Sequence, residues 1–278
     1  MRLSEEEFQR LRRFVLERCG IWFDERRREV MLARLGALLR EGGYDSFSAY
    51  WQRLQQDRSG REVERLIEAL TTNFTGFFRE PDHFDFLRSV LPELPGRGEL
   101  LLWSAGCASG EEAYSMAITL LEAREAVGPR RAIVLATDIS HRALAEAQRG
   151  VYGAERLRGV PPTLRARYFQ PAPGGWRVRE EVRELVRFRL FNLLHPPPFG
   201  ERCAAIFCRN VMIYFPREVR ARVANQLTRA LLPGGYLVVG HVETLTGIDH
   251  ELRYVRPSVY QKVRDAGGGG HDQGAGGG

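Results

Sequence analysis

Short apolar runs alternate with helical patterns through the second half of this 278-residue chain. The runs are Glu99–Ser104, Ala132–Thr137, Ala204–Cys208 and Tyr236–Val239. Helical patterns follow the first three runs, beginning near Glu111, after Asp138 and at Pro216. Strands that alternate with helices form a parallel sheet with helices on both faces. The sequence therefore predicts an α/β fold, with a doubly wound domain over residues 98–265.

One segment, at about 152–190, interrupts this alternation. It contains the turn-forming run Pro171–Gly175 and a stretch from Trp176 to Val186 in which Arg, Val and Glu alternate. That pattern predicts a small antiparallel β-subdomain inserted into the larger domain. The last residues, 266–278, are rich in glycine and predict a flexible tail.

The first 70 residues are typical of short amphipathic helices, because apolar residues recur there at spacings of three and four. Ser4-x-x-Glu7 is a capping-box pattern, Gly20 predicts the end of that helix, and Asp24 can cap the next one. We predict a helical N-terminal domain over 1–70, joined to the α/β domain by a linker at 71–97.

Composition excludes several classes of protein. No stretch approaches the roughly 20 apolar residues of a membrane span, and the N-terminus does not resemble a signal peptide. The 4 cysteines are widely separated, which is typical neither of a zinc site nor of a disulfide framework. The formal charge is +6, but no lysine-rich tail or RNA-binding aromatic pattern accompanies it. We expect a cytoplasmic protein that binds no nucleic acid and does not insert into a membrane.

Candidate ligand-binding residues follow the predicted strands, where doubly wound sheets bind their ligands. After the first strand, Gly106 and Gly110 allow the backbone to approach a ligand closely. The turn lacks GxGxxG, and Glu111 and Glu112 would repel a phosphate but suit a cationic ligand. An alternative is purely structural, since Ser109-x-x-Glu112 is itself a capping-box pattern.

An acid ends the second predicted strand. Asp138 at this position can accept both hydrogen bonds of a ribose diol, while Ser140 is available to cap the next helix. A positively charged nucleoside without phosphate groups fits both turns. S-adenosylmethionine (SAM) has this chemistry. After the third run, the polar pair Arg209-Asn210 would be costly to bury without partners, which favours a site there too.

Seven stretches of the chain together resemble the chemotaxis-receptor protein-glutamate O-methyltransferases of the CheR type. They are Leu70–Glu80, Trp103–Ser115, Ala136–Ile139, Arg167–Phe169, Phe191–Leu194, Ala205–Phe215 and Gly240–Glu243, in the family's order. The resemblance implies a Rossmann-like class I SAM-dependent methyltransferase domain with an inserted small antiparallel β-subdomain. An all-α, receptor-facing N-terminal domain would precede it, and part of the 71–97 linker would line the cofactor pocket.

The activity that the resemblance implies is methyl transfer from SAM to glutamate carboxylates, giving methyl esters and S-adenosylhomocysteine (SAH). The substrate would be the cytoplasmic helical methylation region of a chemoreceptor, the output sensory adaptation, and no metal would take part. The implied cofactor-binding residues are Asn73, Thr75, Arg79, Gly106, Glu111, Glu112, Asp138, Asn192, Leu193, Arg209 and Asn210. Arg79 and Tyr214 would be catalytic, and Arg28 and Arg34 would bind the receptor. Whether Glu111 or Glu112 contacts the cofactor directly stays open at this point.

Two departures from the family pattern concern the partner. Ala37 and Leu38 stand where further basic residues are expected, which leaves the preferred receptor undetermined. The Pro171–Trp176 turn is shorter than in relatives whose β-subdomain binds a receptor's C-terminal peptide, so we expect no dependence on such a tether. We expect a monomer. The alternatives are a nucleic-acid methyltransferase and a non-catalytic adaptor that binds the same cofactor.

Overall fold

A computed structural model describes residues 3–96 and 98–263, and its first part is a helical domain. The helices are α1 (Glu5–Cys19), α2 (Arg28–Glu41), α3 (Phe47–Gln56) and α4 (Arg61–Leu70). The capping box at Ser4 and Glu7 is confirmed, and Gly20, with φ +77°, ends α1. Asp24 caps a 3₁₀ turn, Glu25–Arg27, rather than α2 itself.

The predicted linker is partly a helix. Helix α5 (Pro81–Val90) and a 3₁₀ turn (Leu91–Glu93) occupy much of 71–97. Phe84 and Leu87 of α5 are buried against the α/β domain. The second half of this segment is therefore part of that domain's core and not a simple connection.

The main sheet has seven strands in the order β6-β2-β1-β7-β8-β10-β9. Its strands are β1 (Glu99–Ala105), β2 (Arg131–Asp138), β6 (Val186–Leu190), β7 (Cys203–Cys208), β8 (Leu231–Val239), β9 (Leu252–Arg256) and β10 (Val259–Lys262). Strands β6, β2, β1, β7 and β8 are parallel, and β10 and β9 extend the sheet in antiparallel pairs. The predicted alternation is confirmed.

Helices cover both faces of this sheet, so its central strands are apolar on both sides. The remaining helices of the domain are α6 (Glu111–Glu122), α7 (Arg124–Val127), α8 (His141–Arg149) and α11 (Arg217–Ala230). Leu102 of β1 packs in the core that contains α5 and α6, whereas the next residue, Trp103, packs in the core shared by α11 and the N-terminal helices. The N-terminal domain is thus packed against one face of the sheet.

The insert is a separate three-stranded antiparallel sheet, β3-β5-β4. It comprises β3 (Val151–Tyr152), α9 (Pro162–Tyr168), β4 (Phe169–Ala172), β5 (Gly175–Val178) and α10 (Glu180–Arg183). The predicted boundary at about 190 is wrong, because Val186–Leu190 forms β6 of the main sheet, parallel to β2. The predicted tail, 266–278, lies outside the described residues. Among the helices that are described, none has the length and apolar character needed to cross a membrane.

Candidate functional site

A cleft opens at the carboxyl ends of β1, β2 and β7, with a volume of about 920 Å³ that includes the space at its mouth. Strand β1 lies between β2 and β7, so this is the point where the chain's strand order changes direction, the usual ligand position in such sheets. The cleft is lined by Asn73, Thr75, Arg79, Gly106, Glu112, Asp138, Asn192, Leu193, Arg209, Asn210 and Tyr214, among others. Of the residues predicted for the site, Glu111, Arg28 and Arg34 are not part of this lining.

The turn after β1 brings backbone close to the cleft. The amides of Gly106 and Cys107 both donate to the Thr137 carbonyl, at 2.8 and 2.9 Å, which fastens this turn to the end of β2. Gly106 has φ +94°, and a Cβ added to it would lie 2.5 Å from Cγ2 of Val211. Glycine is required here for both its conformation and its lack of a side chain.

Replacement of Gly106 by alanine is expected to weaken SAH binding by about tenfold or more, since the added methyl group would overlap Val211, which lines the cleft, and would strain the turn. Gly43→Ala is the matched control: Gly43 has φ +70°, but a Cβ added to it would have no atom within 4 Å. Isothermal titration calorimetry of both variants with SAH measures the difference. Equal affinities in the two variants would contradict the packing argument.

Helix α6 begins without the predicted capping box. Its N-cap is Gly110, with φ +96° and no side-chain cap, and Ser109 Oγ instead donates to Glu111 at 2.8 Å. The interpretation of Ser109-x-x-Glu112 as a capping box is therefore wrong. Glu112 accepts from Ser104 Oγ at 2.6 Å and lies 3.3 Å from Arg209 Nη1. Burial raises the pKa of Glu112, while Arg209 opposes the shift.

The structure separates the two adjacent glutamates of α6. Glu112 faces the cleft, whereas Glu111 is fully buried and pairs with Arg156 of the inserted subdomain. Glu111 therefore does not line the cleft, and its predicted contact with the cofactor finds no support in this arrangement. The carboxylate of Glu111 instead fastens the insert to the start of α6.

Asp138 is held rigidly at the end of β2. Its Oδ2 accepts from the Ala108 amide at 2.8 Å and its Oδ1 from the Ser140 amide at 2.9 Å. Ser140 Oγ caps α8 through the Ala143 amide, as predicted. Burial raises the pKa of Asp138, and the backbone hydrogen bonds oppose the rise. An ionised carboxylate has about four acceptor positions, so two remain for hydroxyl groups of a ligand.

Arg209, at the end of β7, connects the cleft to the segment before α5. Its buried guanidinium pairs with Glu80 at 2.9 Å and with Glu112 at 3.3 Å, and it donates to the Arg79 carbonyl. Asn210 follows with φ +59°. The sequence predicted that Arg209 and Asn210 need polar partners. Glu80 and Glu112 are those partners.

Glu243, after β8, fixes the loop that follows β7. Its carboxylate accepts from the amides of Gly240, Asn210 and Ile213, at 2.6, 2.7 and 3.1 Å. No role was predicted from the sequence for Glu80 or Glu243, although each lies inside a stretch that carries the family resemblance. For Glu243, the available signal was an acidic residue shortly after the predicted strand Tyr236–Val239.

The segment before α5 contributes exposed groups to the cleft. Phe74 is 76% exposed, and the Arg79 guanidinium lies 5.2 Å from its ring centroid and donates to its carbonyl at 3.2 Å. Arg34 donates to the Leu70 carbonyl at 2.7 Å and to Thr72 Oγ1 at 2.9 Å. Arg34 therefore positions the start of this segment.

The N-terminal domain closes one side of the cleft. Asn192 Nδ2 donates to the Arg18 carbonyl at 2.7 Å, and the Tyr214 carbonyl accepts from the Trp22 amide at 2.8 Å. The Arg27 guanidinium lies 5.0 Å from the ring centroid of Tyr214. Arg28 pairs with Glu5 at 2.6 Å. Arg27, of the 3₁₀ turn before α2, thus places a positive charge beside the cleft, whereas Arg28 and Arg34 have internal partners.

Two family models match the chain. "CheR methyltransferase, SAM binding domain" matches residues 73–260, and "CheR methyltransferase, all-alpha domain" matches residues 6–71. With the parallel sheet and the cleft at its carboxyl edge, these matches define a SAM-dependent methyltransferase of the Rossmann-like class. The chain belongs to the CheR family of chemotaxis protein methyltransferases.

Curated relatives agree over nearly the full length. The chemotaxis protein methyltransferase of Borreliella burgdorferi is 36% identical, with 94% of this chain and 95% of that protein covered. Chemotaxis protein methyltransferase 2 of Pseudomonas aeruginosa is 39% identical, with 92% and 93% covered. Among solved structures, geranyl diphosphate methyltransferase in complex with SAM is 19% identical to this chain. The match covers 68% of this chain and 57% of that one, with a TM-score of 0.34.

Proposed function

We propose that this protein transfers a methyl group from SAM to glutamate side chains in the helical methylation region of a chemoreceptor. The observation that carries the proposal is the pair of buried carboxylates, Asp138 and Glu112, that line one cleft at the carboxyl edge of the sheet. Acids without a phosphate-binding glycine motif suit a donor with a ribose diol and a positive charge. The protein would act as a monomer in the cytoplasm, where such receptor helices lie.

Asp138 would hold the ribose hydroxyls, because its two remaining acceptor positions suit a diol. Glu112 would attract the positively charged end of the donor, and Gly106 would leave room for it. The side chains of Asn73 and Thr75, Asn192 and Leu193, and Asn210 line the same cleft and would complete the pocket. Glu111 is not included, since its carboxylate is committed to Arg156.

When bound, SAM supplies an electrophilic methyl group on a sulfonium sulfur. Asp138 and Glu112 would hold this donor so that its methyl group could pass in line to a glutamate oxygen of the receptor, with the electron pair of the broken carbon–sulfur bond left on sulfur. The glutamate is already ionised at neutral pH, since the ordinary pKa of its side chain is about 4.3, so no general base is needed. The protein must align the two reactants and exclude water, and these effects can lower the activation free energy by roughly 7–11 kcal/mol at most.

Arg79 and Tyr214 would act at the methyl-transfer end of the cleft. Arg79 would hold one oxygen of the acceptor carboxylate while the other oxygen attacks. A very tight contact would be counterproductive, because the carboxylate's charge disappears in the transition state. The role of Arg79 is therefore to orient the glutamate.

The receptor would dock beside the cleft on the N-terminal domain. Arg28 and Arg34 remain the residues predicted for this role, although each has internal partners. Arg27, over the Tyr214 ring, and Arg26, which is exposed, add positive charge on the same side. Such a surface would attract a receptor helix that carries paired glutamates.

Incubation of the protein with methyl-labelled SAM and either receptor-containing membranes or RNA tests this proposal. We expect label in receptor glutamates as methyl esters, which alkali hydrolyses to methanol. Label in RNA would favour a nucleic-acid methyltransferase. Calorimetric SAH binding without label in either substrate would favour the non-catalytic adaptor.

SAH affinity should fall as the pH is lowered from neutral toward the raised pKa values of Asp138 and Glu112. Burial raises the pKa of both Asp138 and Glu112, so these carboxylates take up protons at a higher pH than ordinary ones. Because the charged forms bind the ligand, affinity is highest above the raised pKa and falls below it, by about tenfold per pH unit for each proton. Calorimetry across this range measures the effect. The Asp138→Asn variant should bind SAH more weakly, and its affinity should depend less on pH. If its affinity depended on pH as steeply as that of the wild type, Asp138 would not be the titrating group.

A further inference from the structure

A cluster of ionisable side chains lies behind the cleft and has no part in the proposed methyl transfer. It consists of Glu80 and His83, from the start of α5, and His241, from the loop after β8. One potential ligand atom from each lies within 4.8 Å of the others. Asp82 borders the cluster through a contact of 3.0 Å between its Oδ1 and Nε2 of His241.

His83 is the buried histidine of this cluster. It is fully buried, and neither of its ring nitrogens has a hydrogen-bond partner among the described residues. Its Nδ1 lies 3.3 Å from Oε2 of Glu80, and its ring centroid lies 4.7 Å from that of His241. Buried polar atoms are nearly always satisfied, so an unpaired imidazole that faces a carboxylate and a second imidazole indicates a missing ligand.

We propose that Glu80, His83 and His241 form a site for a divalent transition metal of the zinc class. Two imidazoles and one carboxylate are a common donor set for Zn²⁺, which leaves a fourth position for water. The site lies outside the cleft lining, and the metal would take no part in methyl transfer.

The surroundings supply orientation and access. Asp82 engages Nε2 of His241, which leaves the other ring nitrogen for a metal, and carboxylates commonly orient metal-binding imidazoles in this way. The side chains of His241 and Asp82 are 48% and 54% exposed, so an ion can enter from that side although His83 is buried. Oε2 of Glu80, the oxygen that lies nearest His83, also pairs with Arg209 at 2.9 Å and accepts from the His241 amide at 3.3 Å, so a bound metal would share this carboxylate with Arg209.

Titration of the metal-free full-length protein with ZnCl₂ in a calorimeter tests this site, with Co²⁺ absorption as a second readout. We expect one Zn²⁺ per chain and a visible Co²⁺ spectrum typical of tetrahedral nitrogen and oxygen ligands. His241→Ala should weaken Zn²⁺ binding by at least about tenfold, the loss that even an outer-sphere partner causes. Because His241 is half-exposed, this variant is expected to fold, and unchanged SAH affinity would verify that.

His141→Ala is the matched control, since His141 is 51% exposed and also pairs with a carboxylate, that of Glu64. It should leave Zn²⁺ binding unchanged. His83→Leu, which keeps the buried position apolar, should lose the Co²⁺ spectrum. The proposal is overturned if the wild type binds no stoichiometric Zn²⁺, or if His241→Ala and His141→Ala bind it equally well. Both results are independent of methyl transfer.

Discussion

Replacement of Arg79 by alanine should lower the rate of receptor methylation by about 100-fold or more while SAH binding changes far less. Arg79 lies at the mouth of the cleft, where its guanidinium is held over the Phe74 ring and by the Phe74 carbonyl. Without it the acceptor glutamate would lose the orienting contact that we propose, and misplacement of a reacting group by about 1 Å can cost roughly 100-fold. Initial rates with labelled SAM and calorimetry with SAH separate the two effects.

Two further variants sharpen this test. Arg79→Lys keeps the positive charge but loses the planar two-pronged donor geometry, so it should recover only part of the rate. Tyr214→Phe removes one hydroxyl group from the same end of the cleft and should have a smaller effect than Arg79→Ala. Near-normal turnover in Arg79→Ala would rule out its orienting role, and a parallel loss of SAH affinity would assign it to cofactor binding instead.

The order of strands and helices could be predicted because the central strands are buried on both faces and are therefore almost wholly apolar. Strand β6 was missed for the opposite reason. It is an edge strand in which Val186 and Phe188 are buried and Arg187 and Arg189 face outward. That alternation is typical of a half-exposed antiparallel strand, so the sequence pattern indicated a place in the insert.

Site residues could be predicted where a polar group directly follows a buried strand, as Asp138 and Arg209 do. The choice between Glu111 and Glu112 could not, because neighbouring residues on a helix point about 100° apart and the insert decides which faces the cleft. Only the fold reveals that Arg156 forms an ion pair with Glu111. The capping-box interpretation failed because Gly110, with its positive φ, moves the start of the helix.

The proposed metal site illustrates a third limit. Glu80 immediately precedes α5, with φ +56°, and His83 lies in the first turn of that helix, so these two side chains are close in sequence. Their third partner, His241, lies about 160 residues away and meets them only when β8 is in the sheet. No metal was expected from the sequence, because no compact ligand spacing exists along the chain.

Replacement of Arg209 by alanine should destabilise the protein by about 3–5 kcal/mol, because the buried carboxylate of Glu112 and the partly buried carboxylate of Glu80 would lose the charge that balances them. For a domain of this size, about 2–4 °C of Tm is lost per kcal/mol, so a fall of roughly 10 °C is expected. Arg202→Ala is the control, since Arg202 forms an exposed pair with Glu99 at 3.1 Å. Exposed pairs contribute at most about 1 kcal/mol, so its Tm should barely change.

A second variant distinguishes unbalanced charge from lost packing. In Arg209→Met the aliphatic volume is largely kept, and adding Glu112→Gln removes one of the two stranded charges. If electrostatics causes the loss, the double variant should regain part of the Tm that Arg209→Met loses, because a neutral amide needs no cation in the buried site. Calorimetric unfolding of the two variants measures this difference. No recovery would mean that the guanidinium stabilises the fold through its contacts with the rings of Phe84 and Phe207, at 5.4 and 5.8 Å, rather than through its charge pairs.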